Sequence, residues 1–270
     1  MSSRTSVLGF PRERWARAPV LWGVLCAVAA LAWALTARSA VSMGNGPGTM
    51  GMGLAAFLPL WVVMMSAMML PSVGPIGSLY LRGVKLRSSG WVRALRVGTL
   101  VAGYLAVWAA FGLLAFLAAW GAGRLADHAP RTALWVGAVI LVVAGAYQLT
   151  PLKNFCLKHC RSPLGFLLHF GSYAGRLRDL RVGLYHGAFC VGCCWGLMIV
   201  LVAVGVMNVA WMAGLAAVIF LEKTWRYGKA LGVAFGIALI LLAAFVPWHP
   251  GLVPGLHAAP QQMGSVALAN

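Results

Sequence analysis

Long apolar runs, separated by short polar stretches rich in Arg and Lys, organise this sequence. They fall near Pro19 to Ala37, Leu54 to Leu70, Val97 to Trp120, Thr132 to Leu149, Gly187 to Val206, Val209 to Leu221 and Ala230 to Val246. A helix that crosses the hydrocarbon core of a bilayer needs about 20 apolar residues. In lipid a helix also satisfies its own backbone hydrogen bonds, which an isolated strand cannot do. The pattern therefore predicts an all-α, polytopic transmembrane helix bundle of about seven spans, of which the sixth is the shortest.

The polar stretches test this topology. Of the 21 Lys and Arg residues, all but Arg38, Arg124 and Arg131 fall in the N-terminal segment or in every second connection. Basic residues collect on the cytoplasmic side of short loops. That asymmetry predicts a cytoplasmic N-terminus and a periplasmic C-terminus in a bacterial inner membrane. The expected layout is a basic N-terminus over 1–18, one membrane domain over 19–247, and a polar extracytoplasmic tail over 248–270. The first run is longer than a signal-peptide core and reads as an uncleaved anchor. Between the fourth and fifth runs, Pro163 to Tyr185 mixes Leu164, Phe166 and Leu168 with Arg176, Arg178 and Arg181, as a segment along the inner interface would.

Composition narrows the partners. The chain is 61% hydrophobic and 9% charged, a balance that places it in a bilayer rather than in water. A net charge of +17 would suggest nucleic acid in a soluble protein. Here the cations flank apolar runs, so they meet lipid headgroups, and no nucleic acid partner is expected. No P-loop is present, which argues against ATP-driven pumping by this chain.

The candidate chemistry lies at the predicted cytoplasmic ends. Cys190, Cys193 and Cys194 follow His186 in the first turns of the fifth run. At about 100° per residue, His186, Cys190 and Cys193 share one helix face, with Cys194 and Met198 on its flank. Soft donors spaced i, i+3 and i+4 can converge on one ion. Cys156, His159 and Cys160 form a second set between Pro151 and Pro163. Disulfides seldom persist in the cytoplasm, so these cysteines read as reduced thiols. In the second run, Met64, Met65, Met68 and Met69 make two overlapping i, i+4 pairs before Pro71, where the helix is expected to end. Thiolates and thioethers favour Cu(I), while zinc remains possible at a Cys/His set. Buried cysteines and methionines also serve as plain packing, and Cys26, alone in the first run, is read that way. Glu222 closes the sixth run; a carboxylate there either serves function or pairs with Lys223 or Arg226 at the headgroups.

These residues carry a resemblance. Trp61-x2-Met64-x3-Met68-Met69-x-Pro71, Tyr147 to Lys153 leading into Cys156, Cys160, Arg161 and Pro163, His186-Gly187 with Cys190-x2-Cys193-Cys194-Trp195, then Met198, Met207, Trp211-Met212 and Glu222-Lys223 resemble a family of bacterial polytopic proteins. Its members are described as metal-binding integral membrane proteins without an assigned activity. The resemblance spans roughly 55–225 and implies metal binding in a membrane. From the donors, the expected role is handling of Cu(I), by transport or by delivery to a copper-dependent enzyme, or exchange with a metallochaperone. The alternatives are a membrane thiol-redox enzyme working through Cys193/Cys194 or Cys156/Cys160, and an assembly subunit without metal.

Overall fold

A computed structural model describes residues 19–43, 46–85, 90–170 and 177–257. The basic N-terminus over 1–18 and the tail beyond 257 lie outside the described residues. Those described are helical, with no strand among them: α1 (Pro19–Met43), α2 (Leu54–Lys85), α3 (Gly90–His128), α4 (Pro130–Leu149), α5 (Pro151–Arg161), α6 (Pro163–Phe170), α7 (Arg178–Val204), α8 (Val209–Thr224) and α9 (Gly228–Phe245). Six of them, α1, α2, α3, α4, α7 and α9, are long and apolar enough to cross a membrane. Leu114, Leu117, Trp135 and Leu241 stand exposed on their outer faces, as lipid-facing side chains do.

The seventh expected span differs. Helix α8 has 16 residues, about 24 Å at 1.5 Å per residue, short of the roughly 30 Å hydrocarbon core. Its length falls short because the α7–α8 turn is sunk into the bundle, with Val206 and Met207 buried. Of the two 3-10 turns that follow α9, Pro250–Leu252 and Pro254–Leu256, the second folds back onto the end of α7 beside that turn. A Cβ on Gly255 would lie 2.3 Å from the Val202 carbonyl, so the described start of the tail is packed, with Val253 and Leu256 buried.

Two boundaries also move. Pro71 and Pro75 sit inside α2, which continues to Lys85. In lipid, neighbouring helices and side chains accommodate the hydrogen bond a proline removes. Met64 to Met69 consequently lie in mid-helix. Helix α7 begins at Arg178, so Cys190 stands about 18 Å along it rather than in its first turns.

Close backbone approach fixes how α3 and α7 pair. They run parallel, and a Cβ on Gly183 would lie 2.1 Å from the Leu100 carbonyl oxygen, one on Gly103 2.6 Å from that of Leu180. Only small residues let helices meet this tightly in a membrane. The register brings Arg96 of α3 onto Asp179 of α7, Nε to Oδ2 at 2.9 Å, where the Tyr80 hydroxyl of α2 also donates to the carboxylate. It also lays Tyr104 of α3 over the α7 face that carries the cysteines.

Candidate metal centre

The thiol cluster starts from helix periodicity. Cys190, Cys193 and Cys194 are fully buried, and their sulfurs lie within 4.8 Å of one another. The Cys193 and Cys194 thiols donate to the Cys190 carbonyl, at 3.1 and 2.7 Å, which turns both sulfurs back toward Cys190. Among the described residues, all six cysteines are free thiols.

Helix α5 brings the second thiol set against the first. Thr150 ends α4 and caps α5, accepting from the Lys153 amide at 3.3 Å, while Pro151 supplies a first helical residue that needs no hydrogen-bond partner. The tight corner folds α5 onto α7. Cys160 Sγ then lies 3.9 Å from Cys193 Sγ. Cys156, one turn earlier, packs on the bare backbone of Gly192, where a Cβ would come within 2.8 Å of its sulfur. The Tyr147 hydroxyl donates to the Gly192 carbonyl and ties α4 to the same turn. Cys156 and Cys160 are half-buried, so they form the accessible side of the cluster. Burial, then the neighbouring Cys193, pushes the Cys156 thiol above its ordinary range. The contact with Cys193, then burial, pushes Cys160 well above it.

Polar groups from other helices complete the surroundings. The Tyr104 hydroxyl and the Lys223 ammonium each lie 3.1 Å from Cys190 Sγ. His186 is buried one turn before Cys190, its ring stacked on Tyr104 with centroids 5.6 Å apart. Beneath α5, Lys153 is buried; its ammonium meets the Glu222 carboxylate at 2.5 Å and also donates to Gln148. Gly232 of α9 leaves the room, since a Cβ there would come within 2.5 Å of Glu222 Oε1.

This arrangement corrects some sequence expectations. Glu222 pairs with Lys153, not with Lys223 or Arg226 at a solvated surface. Cys26 is exposed on the outer face of α1 instead of packed inside. The His159 ring stacks on Phe189 at 4.3 Å and its Nδ1 lies 3.0 Å from the Phe155 carbonyl, so both contacts are with aromatic residues and backbone rather than the thiols. Met64, Met65, Met68, Met69 and Met198 are buried in the common core. Met198 continues the cysteine face of α7, whereas the other four sit on α2, which packs on α3 and α8.

Tyr104, Lys153, Gln148 and Lys223 were not among the candidates. Gln148, Lys153 and Lys223 stand in the motifs that carried the family resemblance, and those motifs were the available signal. Tyr104 had none, because an isolated tyrosine in an apolar run reads as ordinary core.

A family model described as "Copper chaperone", PpoB2, matches residues 58–246. The chain belongs to that family. The match takes in every cysteine of the cluster, Tyr104, Lys223 and the Lys153–Glu222 pair. Copper handling fits both the family and the buried thiols. No curated protein and no solved structure matches the chain.

Proposed function

We propose that this protein holds Cu(I) in the thiol cluster and passes it to a copper-dependent protein, in a bacterial inner membrane with the α5 end facing the cytoplasm. One observation carries the reading: sulfurs of Cys160, Cys190, Cys193 and Cys194, from two helices, come together in a chain of the copper chaperone family. Soft thiolates select a soft monovalent ion. Cys190, Cys193 and Cys194 retain the ion away from water, and half-buried Cys160 and Cys156 exchange it with a metallochaperone or acceptor. Lys223 places a positive charge beside the thiolate-rich site, where uncompensated charge in a low-dielectric interior is costly. His186, Met198 and the α2 methionines Met64, Met65, Met68 and Met69 are further soft donors within the same core. The positive-inside distribution of Arg and Lys supports the orientation, N-terminus in.

Elemental analysis of the purified protein tests this. Copper bound in whole-number ratio, and lost in a Cys190→Ser/Cys193→Ser variant, is the expected result. Copper retained in full by that variant refutes the ligand set. Zinc in copper's place contradicts the choice of metal. Metal-free protein with a reducible Cys160–Cys193 disulfide supports thiol-redox chemistry instead.

A further inference from the structure

The sulfurs do not form one four-sided cage. The mutually close group is Cys190, Cys193 and Cys194, within 4.8 Å, and Cys160 joins it at 3.9 Å through Cys193. Taking the zinc–thiolate bond of about 2.3 Å as a scale, two sulfurs on one ion lie about 3.8 Å apart in tetrahedral geometry and about 4.6 Å apart in linear geometry. The Cys160–Cys193 spacing fits two ligands of one ion, and the triad's sulfurs, within 4.8 Å of one another, need only small side-chain rotations to converge on one.

From this geometry we infer that the centre is binuclear, holding two Cu(I) ions that share the Cys193 thiolate as a bridge. The inner ion takes Cys190, Cys193 and Cys194. The outer ion takes Cys193 and Cys160, and Cys156, one turn earlier on α5 and packed on Gly192 of the same α7 turn, is the next thiol along its path of exchange. This rests on the Cu(I) reading above and adds its stoichiometry and its bridging atom.

Two features favour sharing. A lone monocation on three thiolates leaves a net negative charge that the Lys223 ammonium offsets only in part. A second monocation that shares Cys193 and adds only the Cys160 thiolate leaves the net charge at −2, whereas a separate two-thiolate site would take it to −3. The two positions also differ in access: the triad is buried, whereas Cys156 and Cys160 are half-buried. A bridging sulfur lets an ion pass between them by making one metal–sulfur bond as another breaks, with no change in oxidation state.

Native mass spectrometry of the full chain in detergent, loaded anaerobically with excess Cu(I) and washed with a weak chelator, counts the ions. Two coppers per chain are expected in the unaltered protein, one in Cys156→Ser/Cys160→Ser, and fewer than two in Cys193→Ser. One copper in the unaltered protein overturns the binuclear centre and leaves the copper reading intact; none overturns both. Two coppers kept by Cys193→Ser, or by the α5 double variant, mean independent sites and overturn the bridge. The count in the unaltered protein decides the stoichiometry even where a variant fails to fold.

Discussion

The ammonium of Lys223 lies 3.1 Å from the Cys190 sulfur, and the Tyr104 hydroxyl reaches the same atom at 3.1 Å. When Cu(I) displaces the Cys190 proton, both groups face the sulfur that binds the ion. A hydrogen bond to a charged group contributes about 1.5–3 kcal/mol, which corresponds to about 10- to 100-fold in affinity. Lys223→Gln is expected to weaken Cu(I) binding by that range, read by competition with a chelator, and Lys223→Arg to restore part of it. Equal weakening by both variants would leave the charge without a role.

Burial makes the Lys153–Glu222 pair a structural dependency. Both side chains are about 2% exposed. Removing one partner strands a buried charge, at a cost of about 3–5 kcal/mol. Glu222→Gln and Lys153→Met should each lower the midpoint of thermal unfolding in detergent, and the double variant should lose less than the two added together. Additive losses would show that the two groups do not act as a pair.

The α3–α7 contact sets the position of Tyr104. At Gly183 a methyl group would sit 2.1 Å from the Leu100 carbonyl oxygen, so Gly183→Ala must push the helices apart. Overpacking of this kind costs about 1–3 kcal/mol. The variant should unfold earlier and bind Cu(I) more weakly, because Tyr104 moves off Cys190. Gly121, with open space around it, is the control and should tolerate alanine.

The pH dependence follows from Cys156 and Cys160, whose thiols are raised above their ordinary value, the first mainly by burial and the second mainly by its contact with Cys193. Both are therefore protonated in the apoprotein at neutral pH, and Cu(I) must displace protons to bind them. Apparent affinity should rise with pH, up to about tenfold per unit for each proton released. Apoprotein stability has the opposite sign. In the unfolded chain these thiols ionise near 8.5, before the folded ones, so stability should fall as pH climbs from there through the raised values. Chelator competition and thermal melts across pH 6 to 10 read both trends; affinity independent of pH would mean that these thiols are not ligands.

Much of the architecture was legible because membrane helices announce themselves by length and apolarity, and the runs near Pro19, Val97, Thr132 and Ala230 match helices of the bundle. What escaped depended on neighbours. Pro71 ends a helix in water, but α2 passes through it with other helices around it. Nothing in Val209 to Leu221 reveals that the preceding turn is sunk beside the chain's own C-terminal segment. In the site, the i, i+3, i+4 pattern was enough to gather Cys190, Cys193 and Cys194 on one side of α7. The partners of Lys153 and Lys223 were not legible, because a lysine near a span end reads as a headgroup contact. Only the fold of α5 against α7 and α8 turns Lys153 inward, and the α8 register sets Lys223 beside Cys190.

The most direct test of sulfur ligation is X-ray absorption at the copper edge on copper-loaded protein. A first coordination shell of sulfur alone or with one imidazole nitrogen, lost when Cys190 and Cys193 are serine, is the expected spectrum. A shell dominated by oxygen and nitrogen, or a sulfur shell unchanged in that variant, would contradict it.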